Sequence, residues 1–338
     1  MMKSVGIDLH KKSISVCVVD QQRKVLARAR FRCDAPEQIE AFFRKLGPIQ
    51  AVVEATSSYE WLFALLEPLA ARLVLAHPKK LRIIAESSRK SDRVDAQVLA
   101  EFLALDMIPE AHRPTPRQRE HRGLVRQRRF VQKQIGAVRS KIRWIVCRYN
   151  ADRPDLFTPA GQTYLAKLRL SKADRFVVKQ LLAEWQLYLV QLEELDAELR
   201  RFAKKAPAAE KAARAILESI PYVGPVTIDA VISEVGDVQR LRSLKRAASF
   251  AGLAPGQRES AGKRKEQGIS KAGSGVLRWA LGQAAWRMVA RVPRWKRVFE
   301  PLAKRRGKKK AIVAIARRLW CLMVSMLKSG RRYNAALG

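Results

Sequence analysis

Acidic residues are scarce in this chain. Its 338 residues hold 31 Asp and Glu against 67 Lys and Arg, a formal charge of +36. An excess of that size, spread along the chain, excludes an ordinary enzyme of neutral metabolites and requires a polyanionic partner, nucleic acid before a membrane surface. Cysteine is sparse too. Cys17, Cys33, Cys147 and Cys321 are scattered and form no CxxC pair, so neither a disulfide framework nor a zinc site is expected. Histidine occurs only at 10, 77, 112 and 121. Long apolar runs are missing as well. The N-terminus reaches Asp8 before any stretch of signal-peptide length. The most apolar late segment, Ala311 to Leu327, is broken by Arg317 and Arg318, and so reads as a buried amphipathic helix, not a membrane span. A cytoplasmic, nucleoid-associated bacterial or archaeal protein is the expectation.

What the chain does have is 48% hydrophobic content, enough for real cores in roughly two domains of ordinary size. Residues 4–8, 13–19 and 24–31 read as three strands rich in β-branched residues. A helix over 35–46, capped by Asp34, follows. Next come a strand at 50–54, a helix at 57–70, a strand at 72–76 and a helical pattern from Pro78 to about Leu105. Strands that give way to alternating helices and strands make an α/β layered domain. Past Pro114 and Pro116 the chain turns helical and intensely basic, with Glu120 the only acid between Arg117 and Tyr149. A second long helix spans Lys172 to Lys205. Its Leu181, Leu182, Trp185, Leu189, Leu192 and Leu195 recur at coiled-coil-like steps. The two helices are expected to pack as a hairpin joined by segment 151–162. From Ala208 a mainly helical region begins, with Ser219 to Val226 either an ordinary helix–helix turn or a helix-hairpin-helix-like one in which Gly224 would let backbone N–H groups approach a phosphate. A Gly-rich, basic, loop-like stretch from Phe250 to Gly275 precedes a helix carrying Trp279 and Trp286, read as core. Trp295, among Arg294, Lys296 and Arg297, is the better candidate for nucleic-acid contact. The charge run 304–310 reads as a solvated or phosphate-contacting loop.

Four acids stand where a metal site needs them. Asp8 ends the first strand and Glu54 the next central one, while Asp92 and Asp95 lie three apart on a helix and so share a face. Ends of neighbouring strands crossed by one helix, on a ribonuclease H-like layout, bring the four together. Such a cluster requires cations, and hard ions such as Mg²⁺ or Mn²⁺ suit oxygen ligands and phosphoryl transfer. Taken singly, each acid also has a structural reading as a turn, a cap or a surface ion pair. Farther on, Ser260 sits among small and basic residues in Gly256-Gln257-Arg258-Glu259-Ser260-Ala261-Gly262-Lys263-Arg264. That setting favours a close phosphate, yet no histidine lies nearby in the sequence to activate the hydroxyl. A phosphate-binding loop is the plainer reading. The cations and glycine around these motifs, Lys11, Lys12, Arg93, Gly224, Arg258, Lys263, Arg264, Lys271 and Arg278, are candidate nucleic-acid contacts.

These blocks resemble the DEDD transposases of insertion-sequence family 110, relatives of the Piv-type DNA invertases. The resemblance rests on Gly6-Ile7-Asp8 with Lys11, Val53-Glu54-Ala55-Thr56 and Lys90 to Ala96. Farther along it rests on Ile220 to Pro225, Phe250 to Pro255, Ser260 to Lys263, Ile269 to Gly273 and Leu277-Arg278. It implies a RuvC-like DEDD metal domain over 1–112, a coiled-coil insertion over 113–206 and a C-terminal transposase domain over 207–338. It also implies Mg²⁺ at Asp8, Glu54, Asp92 and Asp95, and a covalent phosphoserine link formed by Ser260. A structured noncoding guide RNA follows from it too, as do dimers or tetramers in which the metal domain of one subunit meets the serine domain of another. Where the family commonly has Gly directly after the serine, this chain has Ala261, with Gly262 next; Ser270 is the alternative hydroxyl. Two other readings compete. One is a metal-only nuclease or junction resolvase in which water attacks. The other is a non-catalytic nucleic-acid binder.

Overall fold

The computed structural model describes residues 2–56, 58–78, 80–81, 92–260 and 263–334, without the side chains of 92–94 and 257–267. The chain forms two compact units, residues 1–113 and 114–338.

In the first unit, β-branched runs make β1 (Lys3–Leu9) and β2 (Ser13–Val19), and an alternating sequence makes β3 (Val25–Arg32). Then come α1 (Pro36–Lys45), β4 (Ile49–Glu54), α2 (Tyr59–Leu66), β5 (Arg72–Ala76) and α3 (Asp92–Ala104). The five strands lie in the order β3-β2-β1-β4-β5. β1–β2 and β2–β3 are antiparallel, whereas β1–β4 and β4–β5 are parallel. The period-2 alternation of strands sorts side chains to two faces. Val5, Ile7, Val16, Ala51 and Val53 join Ile39 and Phe43 of α1 and Leu62, Phe63 and Leu66 of α2. Cys17 and Val19 pack with Ala96 and Ala100 of α3, and Val52 and Val74 pack with Leu99 and Leu103. Helices therefore cover both faces of a mixed sheet, a layout compatible with a ribonuclease H-like domain. Each fully buried Ile, Leu or Phe here contributes about 1.5–3 kcal/mol.

Two expectations need correcting. Asp34 does not cap α1. Pro36 occupies the first turn with Ala35 at the cap position, and the Asp34 carboxylate instead accepts from Arg32 Nε and Nη2 at 2.9 and 2.6 Å. The second helix is shorter than 57–70, spanning Tyr59–Leu66. The helical pattern expected from Pro78 onward falls mostly on residues 82–91, outside the described residues; α3 is described from Asp92.

The second unit opens with α4 (Pro116–Cys147), a basic helix about 48 Å long, capped where Thr115 accepts from the Gln118 N–H. Next is α5 (Pro159–Lys167), so the segment joining the long helices is itself partly helical. Then α6 (Lys172–Lys204), capped by Ser171, packs against α4. Val138, Ile142 and Ile145 meet Val178, Leu181 and Trp185 across this pair. α7 (Ala208–Glu218), α8 (Pro225–Val235), α9 (Leu244–Phe250), α10 (Gly275–Arg291), α11 (Pro293–Arg306) and α12 (Lys308–Ser329) follow. They share one core centred on Trp320, which is fully buried and donates its Nε1–H to the Ala247 carbonyl at 2.7 Å. Paired charges pin α4 to α7 and α8. His121 Nε2 lies 3.0 Å from Asp229, Arg214 pairs with both Asp229 and Glu210 at 2.8 and 3.0 Å, and Arg117 reaches Glu210 at 2.7 Å.

The stretch expected to be a loop after Phe250 contains an antiparallel pair instead, β6 (Pro255–Ser260) and β7 (Lys263–Ile269). No apolar alternation announces these strands, because every position from Gln257 to Ser260 and from Lys263 to Gln267 is polar. The charge run 304–310 is likewise not a loop. Lys304, Arg305 and Arg306 end α11, Gly307 turns the chain with φ +81°, and Lys308, Lys309 and Lys310 open α12 with no acid in its first turn.

Candidate active site

Strand parity places the first two acids. Asp8 shares its face of β1 with Gly6, and Glu54 shares its face of β4 with Val52. Both belong to the face covered by α3, because Val52 packs on Leu99 and Leu103 and Gly6 touches the backbone of α3. A Cβ on Gly6 would stand 2.0 Å from the Ala96 carbonyl oxygen and 2.4 Å from the Ala100 nitrogen. The parallel register aligns Ile7 with Val53, so Asp8 and Glu54 follow side by side at the carboxyl ends of neighbouring strands. The helix runs the other way. Ala96 and Ala100 meet Cys17 and Val19, with Ala104 and Val25 beside them, and Cys17 and Val19 lie opposite Gly6 and Ser4. The described start of α3, with Asp92 and Asp95, therefore lies at the end of the sheet that holds Asp8 and Glu54.

Asp8 is 8% exposed. His10 Nε2 stands 2.9 Å from its Oδ2. Sequence reasoning missed His10 beside Asp8, although a residue two positions on along an extended chain points the same way. The side chains of Asp92 and Arg93 lie outside the described residues. Lys11 and Lys12 are exposed in the β1–β2 connection at this same end. Among the described residues no three His, Cys, Asp or Glu side chains form a group ready to hold a metal. The chemistry of the donor set fits a hard divalent cation: carboxylate oxygens are the ligands such an ion prefers, and a cation eases the repulsion of acids gathered at one end of a sheet.

In the second unit Ser260 ends β6, paired with Lys263, while Arg258 pairs with Lys265 and Arg264 with Glu259. The side chains of Ser260, Arg258, Lys263 and Arg264 lie outside the described residues, as do residues 261 and 262. The opposite end of the hairpin is clasped. Pro255 pairs with Ile269, the Ser270 N–H donates to the Ala254 carbonyl, and the Lys271 N–H donates to the Gly252 carbonyl. Gly252 and Gly273 permit this closeness: a Cβ on Gly273 would stand 1.9 Å from the Phe250 carbonyl oxygen. Arg278 is engaged here, donating to the Ala251 and Gly273 carbonyls at 3.2 and 2.6 Å, and burial lowers its pKa. Ser270 is thus at the base of the hairpin and Ser260 at the far end.

Two family models match the chain. One, described as a transposase and covering the DEDD domain of IS110, matches residues 5–150; the other, described as transposase IS116/IS110/IS902 family, matches residues 214–300. The chain belongs to the IS110 family of transposases. Its relatives include the transposase for insertion sequence element IS1111A of Coxiella burnetii, 25% identical over 95% of this chain and 90% of that protein. A probable family 20 transposase of Pseudomonas aeruginosa is 23% identical over 95% and 97% of the two chains. The pilin gene-inverting protein of Moraxella bovis is 23% identical over 98% and 97%. An IS110-family chain is a DNA transposase or recombinase, and its DEDD domain carries a general dependence on divalent metal.

Other features of this transposase differ from the sequence reading. Trp295 is not presented to nucleic acid: it is 6% exposed in the core of the second unit, and Phe299 one turn later is buried with it. Its basic neighbours point elsewhere around α11. Trp286, read as core, is the exposed one at 43%, resting edge-on against Phe299. Trp279 is half-buried beneath the Arg129 guanidinium. In the α7–α8 turn the left-handed residue is Tyr222 (φ 62°), whereas Gly224 is extended and caps α8. Beside this turn a cavity of about 560 Å³ is lined by Arg200, Lys204, Lys211, Arg214, Val226 and Asp229. Among the described residues no helix is long and apolar enough to cross a membrane.

Proposed function

We propose that this transposase cuts and rejoins the DNA of its insertion sequence by phosphoryl transfer, with Asp8, Glu54, Asp92 and Asp95 as the metal-holding acids and Ser260 as the nucleophile. The observation that supports this reading is the parity and register by which Asp8 and Glu54 end neighbouring strands on the face that α3 covers. When bound, Mg²⁺ or Mn²⁺ at these acids supplies positive charge against the oxygens of the reacting phosphate. The Ser260 oxygen bonds to phosphorus as the bond from phosphorus to a deoxyribose oxygen breaks; the hydroxyl proton leaves to solvent and the departing oxygen takes one up. Rejoining reverses this, a DNA hydroxyl displacing the serine. The phosphodiester energy is thereby kept within the enzyme–DNA link.

The helix-hairpin-helix-like α7–α8 turn, with Gly224 open at the start of α8, takes a DNA phosphate in this reading. Lys11, Lys12, Arg93, Arg258, Lys263, Arg264 and Lys271 contact nucleic acid. Arg278 acts by holding the hairpin base. The 113–206 region serves assembly of subunits whose sites are composite, and a structured noncoding RNA from the element selects the DNA. The test incubates purified protein with the element's flanking DNA and divalent metal, with and without its transcribed RNA, then looks for a covalent adduct after denaturation. An adduct is expected from the parent and none from Ser260→Ala or Asp8→Asn. Joining at the parental rate by Ser260→Ala would overturn the serine as nucleophile; cutting at the parental rate by Ser260→Ala, with neither adduct nor rejoining, would establish the second reading, a metal-only RuvC-like nuclease or resolvase in which water attacks. The lack of a histidine near Ser260 in the sequence favours that second reading.

A further inference from the structure

The third strand carries a row of arginines that the chemistry above does not use. β3 alternates Ala27, Ala29 and Phe31 with exposed Arg28, Arg30 and Arg32, and it is the edge of the sheet. Register fixes where these arginines point. Arg30 is opposite Ser15, and Ser15 is opposite Asp8; residues directly opposite in antiparallel strands share a face. Arg30, Ser15, Asp8 and then Glu54 thus form one line across four strands, all on the α3 side. Arg28 lies opposite Cys17, which packs on α3, and it donates to Gln97 of α3, so it is on that side too.

The spacings suit a nucleic-acid strand. Same-face residues along a strand are roughly 6.5–7 Å apart, and an extended phosphodiester chain can follow that step phosphate by phosphate. Arg30 stands two strands from Asp8, about 10 Å between Cα atoms, which a guanidinium spans in part. Hydrogen bonds steady both side chains over this face: Arg28 donates to the Gln97 amide, and Arg30 donates to the Ser13 hydroxyl at 3.3 Å. Arg32, at the end of the row, is committed to Asp34. We propose that Arg28 and Arg30 form a phosphate-binding rail along β3 that holds the DNA backbone next to the phosphate lying at Asp8. The rail rests on the assignment of Asp8 and Glu54 to the reacting centre. Its ligand chemistry is the phosphodiester backbone of DNA, read without regard to base.

Arginines on an edge strand also have a plainer use, which is to prevent edge-to-edge association, and the experiment separates the two. Full-length Arg28→Gln/Arg30→Gln and Arg28→Lys/Arg30→Lys proteins are compared with the parent in EDTA, across a salt series. Binding is measured to element-end duplex DNA, to unrelated duplex DNA and to RNA. Each phosphate that a side chain no longer neutralises makes the plot of log K against log salt shallower by about 0.9. The Gln protein is therefore expected to lose up to about 1.8 from the slope and to weaken several-fold on both DNA duplexes alike. The Lys protein should keep the parental slope. An unchanged slope in the Gln protein, with or without self-association on a sizing column, overturns the rail. So does a shallower slope on RNA alone. Because metal is absent, a failure of Asp8 as a metal ligand leaves these slopes untouched and shows itself only in cleavage by Asp8→Asn.

Discussion

The two units encode their chemistry in different ways. In the first, burial does the positioning. Val5, Ile7, Val52 and Val53 must face cores on opposite sides of one sheet, and the acids one step farther along inherit a face and a neighbour from them. In the second, the candidate hydroxyl sits at the end of a polar hairpin whose placement comes from its base, where Gly252, Gly273 and Arg278 lock backbone to backbone. A site set by a core is as rigid as that core. A site set by a clasp depends on a few close approaches at which no side chain fits.

The largest expected effect is chemical. Asp8→Asn should lower strand cutting by at least about 10²–10³-fold, the scale of removing one electrostatic anchor, while DNA retention on a filter stays near parental. Cutting within tenfold of the parent would break the contrast, since the first unit would then be a scaffold only. Next is the core that supports the hairpin: Trp320→Ala should cost about 3–5 kcal/mol in denaturant unfolding, because both the ring and the bond to the Ala247 carbonyl are removed. Gly6→Ala should cost about 1–3 kcal/mol or more, as α3 must move off the sheet. Adduct formation should fall with it. At Gly224 an added Cβ meets only Arg287 Nη1, at 4.0 Å, and a change within about 0.5 kcal/mol is expected. The smallest effect is acid sensitivity. Burial pushes the Glu210 carboxyl up, but hydrogen bonds from Arg117 and Arg214 outweigh it and hold the pKa below the usual 4.5. A depressed native pKa stabilises above the unfolded value and is lost as pH falls through the native one. The stability of Glu210→Gln, followed by thermal melting, should therefore fall less than the parent's below about pH 4.5.

Much of the first unit was legible because its signals are apolar. The β-branched runs reveal β1, β2, β4 and β5 nearly to the residue, and the acids at their ends come with them. Ser15 and Arg30 escape notice because they are joined to Asp8 by register across strands, and single-sequence patterns do not carry register; His10, two residues on from Asp8, was within reach of the period-2 rule. The hairpin escapes for a different reason. Gln257 to Ser260 and Lys263 to Gln267 are polar at every position, so composition imitates a loop. The tryptophans come out reversed because the bases flanking Trp295 lie on other faces of α11, whereas Phe299, one turn along, shares its buried face.

The start of the last helix has a consequence for the protein's life outside its complexes. Three lysines crowd the end of α12 where the peptide dipoles already concentrate positive charge. The folded protein thus carries a self-repulsion that water and salt only partly quiet. The same helix brings Trp320 and Met323 into the core. A polyanion laid across those lysines should therefore raise the melting temperature of the whole second unit, and the chain is expected to keep poorly in dilute buffer and well on its substrate.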